Sequence, residues 1–169
     1  LQAWMTVEGI DLKTIGLLTL VGIPYTWKFL WSPFMDRYVP PFLGRRRGWL
    51  VVTQFAIAAG LAAMAMTSPR TDVALLAAFA LFVAFASASQ DIVVDAYRTD
   101  LATAEQRGLM AAVNVLGYRF AMLTSGAFAL VLAAGSGLIL GIGWDKTYLV
   151  MAALMGIGVV AALWGREPD

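Results

Sequence analysis

The sequence predicts an all-α membrane protein with about five transmembrane helices, and three observations predict it. Of its 169 residues 60% are hydrophobic and 14% charged, where a soluble domain carries about 25% charged residues. The mean hydropathy is +0.76. Apolar stretches of about twenty residues, the length a bilayer core of about 30 Å demands, recur between segments rich in helix breakers.

In chain order, residues 1–13 read as the end of an earlier helix and its outer turn. The first span is expected over 14–35, bent where Pro24 and Pro33 remove backbone donors. Pro40, Pro41 and Gly44 then break the chain before a second span at 49–67, which Ser68 and Pro69 terminate. A third span covers 73–97. Thr103 and Gln106 have the spacing of a capping box, which would start the next helix before the fourth span at 109–134. Glycines between Gly135 and Gly143 loosen the chain ahead of a fifth span at 147–164. The row Ala80, Ala84, Ala88 and the pair Gly156 and Gly158 suit close helix packing. Trp27, Trp31, Trp49, Trp144 and Trp164 read as interfacial anchors, with Trp27, beside Lys28, also placed to stack on a ligand.

Orientation follows from the basic residues, which stay on the cytoplasmic side of short loops. Arg37, Arg45, Arg46, Arg47, Arg98, Arg107 and Arg166 fall on one side, against Lys13, Arg70 and Lys146 on the other. The C-terminal end is therefore expected in the cytoplasm. No secretory signal pattern heads the sequence, and a first residue other than Met suggests that residues precede Leu1. An odd number of spans starting outside, with a short tail after Arg166, fits a six-helix unit lacking its first helix.

Composition also excludes function classes. A net charge of +1 leaves no basic excess for nucleic acid, and with neither His nor Cys the chain has no imidazole or thiol chemistry. No cofactor or metal motif is visible. Phosphate-cradling and nucleophile-elbow patterns are absent, so an enzyme is not expected. Proton transfer, if any, falls to carboxylates.

Inside the spans, charges cost about 2.5–3.5 kcal/mol each at the helix centre and need a function or a partner. Lys28, Asp91 and Arg119 lie about 10, 10 and 15 Å from the cytoplasmic ends of their helices at 1.5 Å per residue, in neighbouring layers. They suggest a polar cluster lining a cavity. On the third span Asp91, Asp95 and Arg98 share one face at i, i+4 and i+7, with Ser87 a turn above and Gln90 beside them. On the first span Tyr25, Lys28 and Ser32 share another, while Asn114 and Tyr118 lie near Arg119 on the fourth. The guanidinium fork of Arg119 suits a carboxylate. The competing reading of these charges is an ion-pair network that only pins helix packing.

Asp36-Arg37 followed by Gly44-Arg45-Arg46-Arg47-Gly48 resembles the signature loop of the major facilitator superfamily, lengthened here at 38–43. More specifically, LQAWMTVEGIDLKTIG, FLWSPFMDRYVPPFLGRRRGW, SASQDIVVDAYRTD and VLGYRFAMLTSG together resemble the AmpG-type muropeptide permeases within that superfamily. The resemblance implies part of the N-terminal half of a transporter with two six-helix halves. Residues 1–169 would hold helices two to six of that half, without its first helix or the C-terminal half. It implies import of anhydro-muropeptides across a bacterial inner membrane by proton symport, for peptidoglycan recycling linked to β-lactamase induction.

On that resemblance, Lys28 and Arg119 would meet substrate carboxylates, and Tyr25, Gln90, Asn114 and Tyr118 would supply hydrogen bonds. Asp91, with Asp95 as the alternative, would carry the proton. Asp36, Arg37, Arg45, Arg46 and Arg98 would form a cytoplasmic gate, with Asp36–Arg37 and Asp95–Arg98 as its pairs. The partners expected are therefore the muropeptide, protons, the lipid bilayer and the rest of the same transporter. Competing readings are a carrier of another large polar anion, such as an acetyl-CoA ester, and an intramembrane enzyme with Asp91 and Asp95 as its carboxylate pair.

Overall fold

The computed structural model describes residues 1–135 and 140–165. The expectations for Gly137 and for the tail from Arg166 lie outside the described residues. Among the described residues eight α-helices follow one another: α1 (Gln2–Val7), α2 (Leu12–Leu17), α3 (Ile23–Trp27), α4 (Ser32–Arg37), α5 (Arg45–Ala65), α6 (Val73–Leu101), α7 (Arg107–Ala134) and α8 (Trp144–Trp164). The described residues contain no strand. The four long helices α5 to α8 are each long and apolar enough to cross a membrane.

The 14–35 segment departs from the single bent helix expected of it. It runs as α2, α3 and α4 separated by 3-10 turns at Leu18–Gly22 and Lys28–Leu30. Pro24 and Pro33 sit in the first turns of α3 and α4, where the missing N–H would have no partner anyway, so each proline starts a new helix. At the start of α2 the Asp11 side chain accepts from the Thr14 hydroxyl at 2.6 Å and its N–H at 3.0 Å. Those bonds, the hydroxyl's first, hold the Asp11 carboxyl below the usual carboxylate range.

Although broken, the segment keeps pace with α6. Leu18 packs in one cluster with Leu76 and Ala80, the Trp31 indole N–H donates to Ser89 Oγ at 3.1 Å, and Met35 packs in another cluster with Val93. Between Leu76 and Val93 the helix rises about 25 Å at 1.5 Å per residue. The segment is thus a fifth pass running parallel to α6. Trp31, expected as an interfacial anchor, is an internal strut whose ring also packs at a tilt against Phe85, 4.7 Å between centroids.

α5 is the central element, packed between α6 and α8. Gly60 permits the close approach to α6, since a Cβ there would lie 2.5 Å from Val83 Cγ2. Gly158 does the same on α8, where a Cβ would lie 2.9 Å from Gln54 Nε2, whereas Gly156 faces open space and takes no part in packing. Two apolar clusters close the ends of the bundle: Trp4, Met5, Leu18, Met64, Leu76 and Ala80 at one end, and Met35, Leu50, Val51, Val93 and Ala162 at the other. Between them Thr53, Gln54 and Ser89 are buried among apolar residues such as Ile57 and Ala86.

α7 begins at Arg107 with no side-chain cap. The expected capping box is absent: the Thr103 carbonyl accepts from the N–H groups of Gln106 and Arg107, forming a turn ahead of the helix. No residue of α7 is fully buried; one side packs against α8, and the rest of its surface is open to lipid or to further protein.

Candidate functional site

The broken segment brings Tyr25 and Lys28 against the middle of α6. Lys28 begins the second 3-10 turn, where the chain tightens and turns its side chain towards α6. Lys28 Nζ lies 4.0 Å from Asp91 Oδ2, with the two side chains 35% and 45% exposed. A charge-assisted hydrogen bond is about 2.7–2.9 Å long, so this pair is loose and each group retains capacity for a ligand. The Tyr25 hydroxyl faces Ser87 one turn earlier on α6, with Asp91 and Tyr118 within electrostatic reach. Two elements thus meet, a cation and a phenol from the broken segment with a carboxylate and a hydroxyl from α6, and the Tyr118 phenol of α7 lies within electrostatic reach of Tyr25. Such a set can hold a ligand that carries both a carboxylate and hydroxyl groups.

Other expected members of the cluster lie elsewhere. Arg119, one residue past Tyr118, is exposed and makes no ion pair among the described residues. Lys28, not Arg119, is the cation beside Asp91, because equal depth along two helices says nothing about which way each faces. Asn114 lies half-buried on α7. Gln90 is turned away from the cluster: it lines a cavity between α5, α6 and α8 together with Gln54, Tyr97 and Gly158. Adjacent helical residues differ by about 100° in direction, which places Gln90 on a different face from Asp91. A groove of about 1200 Å³ along Pro24, Trp27, Trp31, Leu81 and Phe85 is mostly apolar, and neither Lys28 nor Asp91 lines it.

At the arginine-rich end the ion pairs also differ from those expected. Asp36 binds Arg46 and not its neighbour Arg37: Arg46 Nη1 donates to Asp36 Oδ1 at 2.7 Å, and Arg46 Nε donates to Asp100 Oδ2 at 2.7 Å. One guanidinium, only 11% exposed, therefore ties the ends of α4, α5 and α6. The fork of donors makes this double engagement possible. Asp95 and Arg98 pair at 3.2 Å within α6 alone, so they link no two elements. Arg37 and Arg45 are exposed and form no ion pair among the described residues. Arg47, which sequence reading left without a role, donates from Nε to the Ala162 carbonyl at 2.9 Å and from Nη2 to that of Leu163. It thereby caps α8, where the helix dipole favours a cation.

Sequence reading missed Asp100 and Gln54. Asp100 lies 54 residues from its partner Arg46, and no local pattern announces that contact. Gln54 could have been noticed as a lone amide within an apolar span.

Comparison with known proteins follows the same lines. The Major Facilitator Superfamily profile matches residues 2–169. The "Anhydromuropeptide permease" of Escherichia coli (strain K12) is 55% identical over 168 residues, covering 99% of this chain and 33% of that protein. An "Uncharacterized protein" of Haemophilus influenzae is 38% identical over 169 residues, covering 99% of this chain and 38% of that protein. "Putative transporter AmpG 4" of Rickettsia felis is 32% identical over 172 residues, covering 100% and 41% respectively. The chain therefore spans between a third and about two fifths of the length of these relatives.

Proposed function

The chain belongs to the Major Facilitator Superfamily, and from that membership we propose that it is part of the N-terminal half of a secondary transporter importing anhydro-muropeptides from periplasm to cytoplasm. The observation that carries this reading is the 55% identity to the Escherichia coli permease over 99% of the chain. The convergence of Tyr25, Lys28, Asp91 and Tyr118 supports it, because a muropeptide offers peptide carboxylates to the ammonium and sugar hydroxyls to the phenols. Arg119 and Asn114 stand on α7 beside Tyr118, and they join the ligand when the helices close around it. Gln90 has no part in the binding. Asp91 takes up and releases the coupled proton, since its loose pair with Lys28 is one that a substrate carboxylate can displace.

The membrane is the bacterial inner membrane, with the Arg46 end in the cytoplasm, where positive residues concentrate. There the Asp36–Arg46–Asp100 triad acts as the inner latch. The rest of the transporter provides the other wall of the cavity, as in carriers whose sites lie between repeats.

Uptake of radiolabelled GlcNAc-1,6-anhydroMurNAc peptide into proteoliposomes containing the full-length protein tests this function. With an inward proton gradient, uptake should exceed that of protein-free vesicles and be competed by unlabelled muropeptide but not by acetyl-CoA. No uptake by correctly inserted protein, or competition by acetyl-CoA alone, would remove the muropeptide reading.

A further inference from the structure

Between α5, α6 and α8 lies a cavity of about 240 Å³ lined by Leu50, Gln54, Gln90, Val94, Tyr97 and Gly158, among other residues. It lies where α5 packs against both α6 and α8, beside the apolar cluster to which Leu50 and Ala162 belong. Gln54 is only 6% exposed. The side-chain oxygens of Gln54 and Gln90 are both buried without a hydrogen-bond partner among the described residues. Native proteins rarely leave buried polar atoms unpaired, and two in one cavity on facing helices point to a shared partner. Exchanging oxygen and nitrogen in either amide only replaces an unpartnered acceptor by an unpartnered donor. As placed, both unpartnered atoms are acceptors, so the shared partner must donate to each of them.

We propose that this cavity is a hydration site in which ordered water bridges the Gln54 and Gln90 amides and ties α5 to α6. The volume suffices for several waters at about 30 Å³ each. The lining is mostly apolar, so the two unpartnered amides are the groups that would hold them. A cation is disfavoured, because no charged side chain lines the cavity to balance it. The small residues Gly158, Ala161 and Ala162 on α8 keep the cavity open: a Cβ at position 158 would press on the Gln54 amide.

X-ray radiolytic footprinting of the full-length protein in nanodiscs tests the proposal, since radicals born from bound water mark the side chains beside it. Tyr97, Leu50 and Val94 should be labelled in the unmodified protein. In the double variant Gln54→Met with Gln90→Met, their labelling should fall at least several-fold. Absence of labelling in the unmodified protein, or equal labelling in both, would overturn the site. Thermal melting gives an independent reading. Each single variant strands one amide and should melt below the unmodified protein, while the double variant should melt above both. If each single variant raised the melting temperature and the effects added, the amides would be idle in a dry cavity. Melting that depended on sodium against choline would put a cation there instead. Either result would contradict the water bridge.

Discussion

Asp91→Asn in the full-length transporter is expected to abolish concentrative uptake of muropeptide under a proton gradient while leaving substrate exchange at equal pH within about threefold of the unmodified rate. The asparagine keeps the size and hydrogen-bonding capacity of the side chain but cannot bind and release a proton. The fold should survive, since the Lys28 contact is 4.0 Å long and both partners are partly exposed. Partly exposed pairs of that kind contribute about 0–1 kcal/mol. The separation of the two assays is what identifies a proton carrier, because a residue needed only for packing would lose both activities together. Asp95→Asn serves as the comparison. Asp95 is 53% exposed and pairs within its own helix, so its replacement should leave both activities nearly unchanged. If Asp95→Asn abolished concentrative uptake and Asp91→Asn did not, the two roles would be exchanged.

Arg46→Ala is expected to open the arginine-rich end. Its guanidinium is nearly buried and makes a 2.7 Å bond to each of two carboxylates on different helices. A hydrogen bond to a charged group contributes about 1.5–3 kcal/mol. Asp36 and Asp100 are 53% and 31% exposed, so solvent screening reduces the loss for the two bonds together to about 2–3 kcal/mol. Every 1.4 kcal/mol is a tenfold change in equilibrium. The open population at this end should therefore rise by roughly thirty- to a hundred-and-fortyfold. The chain contains no cysteine, so a thiol introduced at the buried Ala102, two residues past Asp100, can report the change. Its labelling rate should rise at least about tenfold with Arg46→Ala and partly with Arg46→Lys, which retains charge but loses the fork. It should stay level with Arg45→Ala, whose side chain pairs with no carboxylate among the described residues. Equal effects of Arg45→Ala and Arg46→Ala would reduce the triad to general surface charge.

The long helices were legible because hydrophobic length is a local property. α5 to α8 each carry an apolar run that a bilayer requires, and nothing distant alters that count. The broken pass was only half legible. Pro24 and Pro33 announced bends, but whether a bend becomes a 3-10 turn and a fresh helix is decided by packing along α6, through contacts such as Trp31 with Ser89. Depth put Lys28 and Asp91 in one layer, about 10 Å from the same end, but could not tell which of Lys28 and Arg119 stands beside Asp91. Direction around the helix axis could not be read so easily. Arg119 and Gln90 lie at suitable depths, yet one stands exposed on a helix without buried residues and the other faces α5 and α8. The latch was misassigned for a related reason. Sequence proximity favoured Asp36 with Arg37, whereas α4 and α5 meet so that Arg46 reaches both Asp36 and Asp100.

In the proposed transporter the ammonium of Lys28 receives a carboxylate of the substrate. Equilibrium binding of radiolabelled anhydro-muropeptide to the purified full-length protein, with and without Lys28→Ala, tests it most directly. Losing a charge-assisted contact of about 1.5–3 kcal/mol should raise Kd roughly ten- to a hundredfold. A muropeptide whose peptide carboxylates have been converted to amides should bind both proteins with similar weak affinity. An unchanged Kd for the native muropeptide, or an equal loss for the amidated one, would contradict the assignment of Lys28 to the substrate.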